Sequence, residues 1–218
     1  LLGFDESNLE INLQGVSENT FLKTYKIDSP LITNTSTLNS FIGLNSTKED
    51  FSLSISIESY EDLSKKMSDR YEFIYPNFNL TKDLDSNLSS FGNLQFNSNG
   101  YQKKFDTNSY EAAFINDLLF ESDPIFSSKG LKNNFNLLVK NVNTDGRNNT
   151  KIKNRKDHAL LSSFILETSY PLKDEGLRYN NYLKPIASFR YSPNKTKNIR
   201  NEDRRVDINN IFSLNRIG

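Results

Sequence analysis

The run DFSLSISIES, Asp50 to Ser59, constrains the fold of this chain more than any other stretch. Phe51, Leu53, Ile55 and Ile57 occupy every second position, with Ser52, Ser54, Ser56 and Glu58 between them. A period of two puts the apolar set on one face of a strand and the polar set on the other, whereas a helix would scatter both around its circumference. The isoleucines, branched at Cβ, also favour extended backbone. The segment reads as a strand with one face for an apolar medium and one for water.

Weaker alternation recurs at Leu9 to Val16, Leu38 to Leu44, Tyr71 to Leu80, Leu94 to Tyr101, Tyr110 to Phe120, Leu131 to Val142, Leu160 to Tyr170 and Tyr182 to Tyr191, with a closing strand at Ile208 to Arg216. Several approach the roughly 9 to 11 residues that a tilted strand needs to cross a bilayer. Between them lie clusters of turn-forming residues: Ser17 to Asn19, Asn45 to Glu49, Asp83 to Asn87, Ser122 to Pro124, Asn143 to Asn149 and Lys173 to Gly176. Short connections of this kind join antiparallel neighbours, so the pattern predicts an all-β antiparallel meander. Tyr60 to Arg70, YEDLSKKMSDR, has the best helical composition but sits between two strands and reads as a loop. No domain boundary stands out, and residues 1–218 read as a single segment.

Composition fits a sheet wetted on one side. Only 35% of the 218 residues are hydrophobic and the mean hydropathy is -0.63, below the roughly 45 to 50% apolar content, counting Gly, of soluble domains. Such a deficit marks either disorder or strands whose second face meets water. The aromatic content of 12%, with 16 Phe and 10 Tyr, argues against disorder. The 27 basic and 27 acidic residues cancel, so no net field draws the chain to nucleic acid. There is no cysteine for a disulfide or a thiolate metal site. A membrane-spanning helix needs about 18 consecutive apolar residues, and no such run occurs. The opening LLGFDESNLE has neither a basic nor an apolar leader region, and the expectation is an internal piece of a longer protein without its signal peptide.

Aromatics stand near strand ends at Tyr60, Tyr71, Tyr101, Tyr110, Phe120, Tyr170, Tyr182 and Tyr191. Two readings stay open: an interfacial girdle at headgroup level, or ordinary β-propensity in a soluble sheet.

Enzyme readings lack their parts, and no catalytic, cofactor-binding or metal-ligating residue is assigned. His158 is the only histidine, in the loop-like KNRKDHALL, with no nucleophile motif beside it. Phosphate-loop, dinucleotide and nucleophile-elbow patterns are missing. The carboxylate pairs Asp203 with Asp207 and Asp83 with Asp85 read as solvated loop charges. The basic series Lys151, Lys153, Arg155 and Lys156, and then Arg200, Arg204 and Arg205, would suit lipid phosphates, although interleaved acids favour local ion pairs in the second.

The end of the chain carries a resemblance. From Leu183 a strand ends in FRYSPN, a charged loop runs from Lys195 to Arg205, an aspartate follows at Asp207, and the sequence closes with NNIFSLNRIG. Earlier, INLQGVSENTFLKTYKIDSP reads as a strand, a short turn and an aromatic strand with Phe21 and Tyr25. DRYEFIYPNFNL reads as a strand with a mid-strand proline, Pro76, and GNLQFNSNGYQKKFDTNSYE as the hairpin after it. In this order they resemble the middle to late barrel of the LPS-assembly protein family LptD, also called OstA.

The resemblance implies a section of a large outer-membrane β-barrel in Gram-negative bacteria, without the family's jellyroll domain or its seam strands. It also implies lipopolysaccharide as cargo, an LptE-like plug lipoprotein and periplasmic bridge proteins as partners, outer-membrane lipids around the wall, and no cofactor or nucleic acid. In such a wall Ser52, Ser54, Ser56, Glu58 and Arg216 are expected to face the lumen, and Phe51, Leu53, Ile55 and Ile57 the lipid. Another outer-membrane barrel, a porin or receptor, shares the strand rhythm. A soluble β-sandwich used for binding or adhesion would instead pack its apolar faces together.

Overall fold

The computed structural model describes residues 3–26, 35–84, 90–176, 179–194 and 210–214. The strands are β1 (Glu6–Asn12), β2 (Thr37–Lys48), β3 (Phe51–Asp62), β4 (Tyr71–Asp83), β5 (Gly92–Phe105), β6 (Ser109–Ser122), β7 (Ile125–Phe126), β8 (Lys132–Arg147), β9 (Asp157–Ser169), β10 (Leu172–Glu175), β11 (Asn180–Leu183) and β12 (Ile186–Tyr191), with one short helix α1 (Phe21–Tyr25). They form an all-β antiparallel meander in the order β1-β2-β3-β4-β5-β6-β8-β9-β12, with β7 on β8 and a separate β10-β11 hairpin. Among the described residues β1 and β12 are the sheet's edges.

The residues cluster into two compact units. The first holds Leu1–Lys82, Ser98–Ile115 and Asn143–His158. Its small core is Leu22 of α1 against Leu38 of β2 and Leu63 of the loop after β3, with Val16 and Phe21 packed alongside. The second holds Asp83–Asn97, Asn116–Val142 and Ala159–Gly218. In it Leu138, Val142, Leu161 and Ile165 are buried, and the rings of Phe120, Phe135 and Phe164 touch in sequence at 5.6 and 6.4 Å.

The strand rhythm is mostly where the alternation predicts it, usually longer by a few residues, but the first strand, expected over Leu9 to Val16, runs Glu6–Asn12. Tyr60 to Arg70 is a loop apart from the end of β3 and a single turn of 3-10 helix at Met67–Asp69.

Several expectations are corrected, among them the turn at Asn45 to Glu49, of which Asn45 to Lys48 continue β2 as strand. Phe21 and Tyr25 belong to a helix: they lie four apart, their rings meet at 4.8 Å, and Leu22 turns inward between them. Lys26, in the left-handed conformation at φ 46°, ends that turn. Asn143–Arg147 continues β8 as strand, because Val142, Thr144 and Gly146 stay buried on alternate positions. Lys173–Glu175 pairs with β11 as a strand. The strand expected from Tyr182 to Tyr191 is cut in two at Lys184 and Pro185; Pro185 has no N–H for a ladder, and its carbonyl accepts from Tyr170 N at 3.0 Å. Of the closing strand, Asn210 to Phe212 form a turn and Leu214 is 3-10; Arg216, Asp203, Asp207, Asp85, Arg200, Arg204 and Arg205 lie outside the described residues.

Candidate functional site

The feature that sets this sheet apart is a segregation of its two faces that the register carries from strand to strand. Residues directly opposite each other on paired strands share a face. Through β1, β2, β3 and β4 the partners form rows: Glu6, Thr47, Ser52, Thr81; then Asn8, Asn45, Ser54, Asn79; then Glu10, Gly43, Ser56, Asn77. All of these rows are polar or side-chain-free. The alternate rows lie on the other face: Ser7, Ser46, Leu53, Leu80, which is half polar, then Leu9, Leu44, Ile55, Phe78, and then Ile11, Ile42, Ile57.

In a water-soluble sheet the apolar rows would be covered, yet Leu9 is 61%, Ile11 57%, Ile42 47% and Ile57 57% exposed. Phe78 extends its row further: it lies over Gly100 of β5 and meets Phe114 of β6 with centroids 5.9 Å apart. Phe51 ends the apolar column of β3, its ring 5.7 Å from that of Phe4. The polar face has exceptions in Phe41 and Ile74, both paired with Glu58.

One irregularity keeps these faces in phase. Between Ser56 and Glu58 the register with β4 shifts, so Tyr75 and Pro76 together oppose Ile57. A proline that donates no hydrogen bond is tolerated at such a bulge and not in a regular central ladder. The bulge places both Phe73 and Phe78 on the apolar face although one is odd-numbered and the other even.

The polar face is wired rather than merely hydrophilic. Glu58 accepts three hydrogen bonds: Ser56 Oγ at 2.6 Å and Asn77 Nδ2 at 3.0 Å on Oε1, and Tyr60 OH at 2.8 Å on Oε2. Lys103 Nζ stands 2.7 Å from Glu72 Oε1. Glu111 accepts from Tyr101 OH at 3.2 Å and Asn149 Nδ2 at 2.7 Å. In the second unit Lys140 Nζ lies 3.0 Å from Asp117 Oδ2, and Gln95 Nε2 donates to Asp83 Oδ1 at 2.9 Å. The carboxylates of Glu58, Glu72, Glu111, Asp117 and Asp83 each meet a donor or a cation, so they serve hydration and hydrogen bonding.

The bonds of Tyr60 and Tyr101 turn them toward this polar face, away from any lipid girdle. Tyr71 and Phe73, stacked at 6.0 Å, lie on the apolar face with Ser59 and Glu61 opposite them.

Beyond the strands, the loop after β3 and the turn after β5 are tied together. Lys65 Nζ is 3.2 Å from Asp106 Oδ1, and Thr107 Oγ1 donates to Asp69 Oδ1 at 2.6 Å. The Thr107 hydroxyl holds the Asp69 carboxyl below the usual carboxylate range, and the Asp106 bond raises the Lys65 ammonium.

His158 sits in β9 rather than in a loop, because the strand begins at Asp157, which pairs with Lys153 at 3.1 Å. Among the described residues no group of three or more His, Cys, Asp or Glu is arranged to hold a metal. Sequence reading missed the Lys140–Asp117 pair; its one signal was a lysine at an alternate position of LLVKNV, in phase with Leu138 and Val142.

An antiparallel meander with faces segregated in this way fits a section of the wall of a membrane β-barrel. No described helix is long and apolar enough to cross a membrane, which leaves crossing by strands untouched. Residues 4–218 match the family model described as LptD, LPS transport system D, and the chain belongs to that family. The family is one of lipopolysaccharide transport and assembly at the outer membrane. Among curated proteins, none matches the chain.

Proposed function

We propose that residues 1–218 form one segment of an outer-membrane barrel wall through which lipopolysaccharide passes to the outer leaflet. The observation that carries this reading is the register-locked separation of faces: Leu9, Leu44, Ile55 and Phe78 on one side, Asn8, Asn45, Ser54 and Asn79 on the other. Such a wall performs no covalent chemistry. Its polar face, with Ser52, Ser54, Ser56 and Glu58, lines a hydrated lumen for the phosphorylated sugar head, while Phe51, Leu53, Ile55 and Ile57 meet lipid. Buried backbone polar groups are satisfied by the strand ladder, which lets the sheet stand in hydrocarbon. An LptE-like lipoprotein in the lumen and periplasmic bridge proteins complete the path; Arg216 belongs to the lumen or plug surface in this reading.

The soluble sandwich is disfavoured by the exposure of Ile11, Ile42 and Ile57, which a second sheet would cover. A porin or receptor has no support from the family match. The test is depletion of the protein in its own cell: lipopolysaccharide should stay on the periplasmic side and bulky apolar antibiotics should enter. Normal surface lipopolysaccharide after depletion would overturn the proposal.

A further inference from the structure

At the end of the apolar face in the first unit lies an open hollow of about 780 Å3 that a plain barrel wall does not require. Tyr71, Phe73, Phe105 and Tyr110 line it, and so do two cations, Lys104 and Arg147. Tyr110 is in phase with Phe114 of the apolar row, and Lys104 is in phase with Gly100, over which Phe78 lies. Lys104 Nζ stands 5.5 Å from the centre of the Tyr75 ring, and the Arg147 guanidinium 5.8 Å from that of Tyr110. Both cations are exposed, and neither makes an ion pair among the described residues. The carboxylate in the hollow, Asp106, is taken by Lys65. What remains is an aromatic basin with two positive charges that no carboxylate of its lining pairs, Asp145 on the strand of Arg147 being the acid that acts on Tyr110 from outside the lining.

Amphipathic rings settle at the membrane–water interface, and long basic side chains there reach outward to headgroup phosphates. Arginine gives a planar fork for phosphate oxygens and lysine a point charge, and together they match a phosphate with two or more free oxygens. We propose that this hollow binds the phosphate of an anionic phospholipid in the surrounding bilayer, with the rings against its glycerol and first acyl carbons. The inference rests on the reading that the apolar face meets lipid. It adds a fixed lipid on the outer surface of the wall, separate from the luminal path of the cargo.

The test uses the full-length protein placed in nanodiscs with equal phosphatidylglycerol and phosphatidylcholine, with the lipids that stay bound on release counted by native mass spectrometry. The wild type should retain phosphatidylglycerol preferentially. That preference should fall by about fivefold for each cation removed in Lys104→Gln and Arg147→Gln, and persist in Lys104→Arg. Equal retention of the two lipids by the wild type, a comparison that needs no variant to fold, would overturn the site. So would an undiminished preference in the double variant. Displacement of the lipid by millimolar inorganic phosphate would mark a free-phosphate site instead and also overturn it. A protein that enters the nanodisc without lipid preference sinks this inference alone, whereas one that fails to enter sinks the facing on which it rests.

Discussion

Lys140 and Asp117 face each other at 3.0 Å between neighbouring strands, with the lysine side chain 1% exposed and the aspartate 13%. A charge so enclosed is tolerable only while its partner is present, because desolvating it alone is far more costly than desolvating the pair. Asp117→Asn should therefore destabilise the folded sheet by about 3 to 5 kcal/mol, and Lys140→Met with Asp117→Leu by much less. Unfolding in detergent, followed by heat-modifiable gel migration, gives the comparison. A single variant milder than the double would mean that solvent reaches the pair.

The facing of β3 makes a sharper demand. Ile55 and Ser54 are neighbours in sequence but sit on opposite faces, in the apolar row with Leu44 and the polar row with Asn45. Ile55→Arg, and likewise Leu53→Arg, should impair membrane assembly by roughly 2 to 4 kcal/mol if the site is near the midplane, while Ser54→Arg is tolerated better. Folded protein recovered in outer-membrane fractions is the readout, and equal damage would reverse the facing.

Gly100 should resist any side chain. A Cβ there would lie 2.8 Å from the carbonyl oxygen of Ala113 and 2.9 Å from the Phe78 ring. The Phe78 ring is a side chain that can shift, whereas the Ala113 carbonyl belongs to the backbone of β6. Gly100→Ala is expected to cost about 1 to 3 kcal/mol, the range of an overpacked site, read as a lower unfolding temperature. In the Phe78→Ala background the close approach to the Ala113 carbonyl persists, so the penalty should shrink without vanishing.

Acid should loosen the paired loops before it unfolds the sheet. The Thr107 bond depresses the Asp69 carboxyl below its ordinary 3.8, so its contribution is complete above that value and lost as pH falls through the depressed one. The Lys65 ammonium, raised by Asp106, behaves oppositely: its contribution is complete below its ordinary 10.5 and lost above the raised value. Proteolytic cleavage within Leu63 to Arg70, measured on the protein in detergent, should rise on either side of this window. In Thr107→Val the acid limb should weaken, because Asp69 then has little contribution left to lose; an unchanged limb would remove Asp69 from the account.

The sequence is most legible where one strand carries its own signal. DFSLSISIES declares its period without help from neighbours, and the all-β meander follows from repeating that reading along the chain. Elements decided by contact with distant residues were harder to read. Phe21–Tyr25 turned helical because Leu22 finds Leu38 and Leu63, partners far along the chain. Asn143–Arg147 has the composition of a turn, but burial of Thr144 and Gly146 keeps it extended. The two-faced surface was visible in β3 alone; its continuation through Leu9, Leu44 and Phe78 depends on register, which no single stretch of sequence contains.

The extra residue opposite Ile57 has a consequence for how β4 can change over generations. Elsewhere along the strand, losing one residue would turn everything beyond it inside out, moving Phe78 to the wet side and Asn77 to the oily one. At Tyr75 and Pro76, losing one of the two would leave a continuous ladder with Asn77 still opposite Ser56 and Ile74 still opposite Glu58. The bulge is thus a joint where the length of the strand can vary by one without exchanging its two sides, and single-residue deletions should be survivable there and hardly anywhere else in β4.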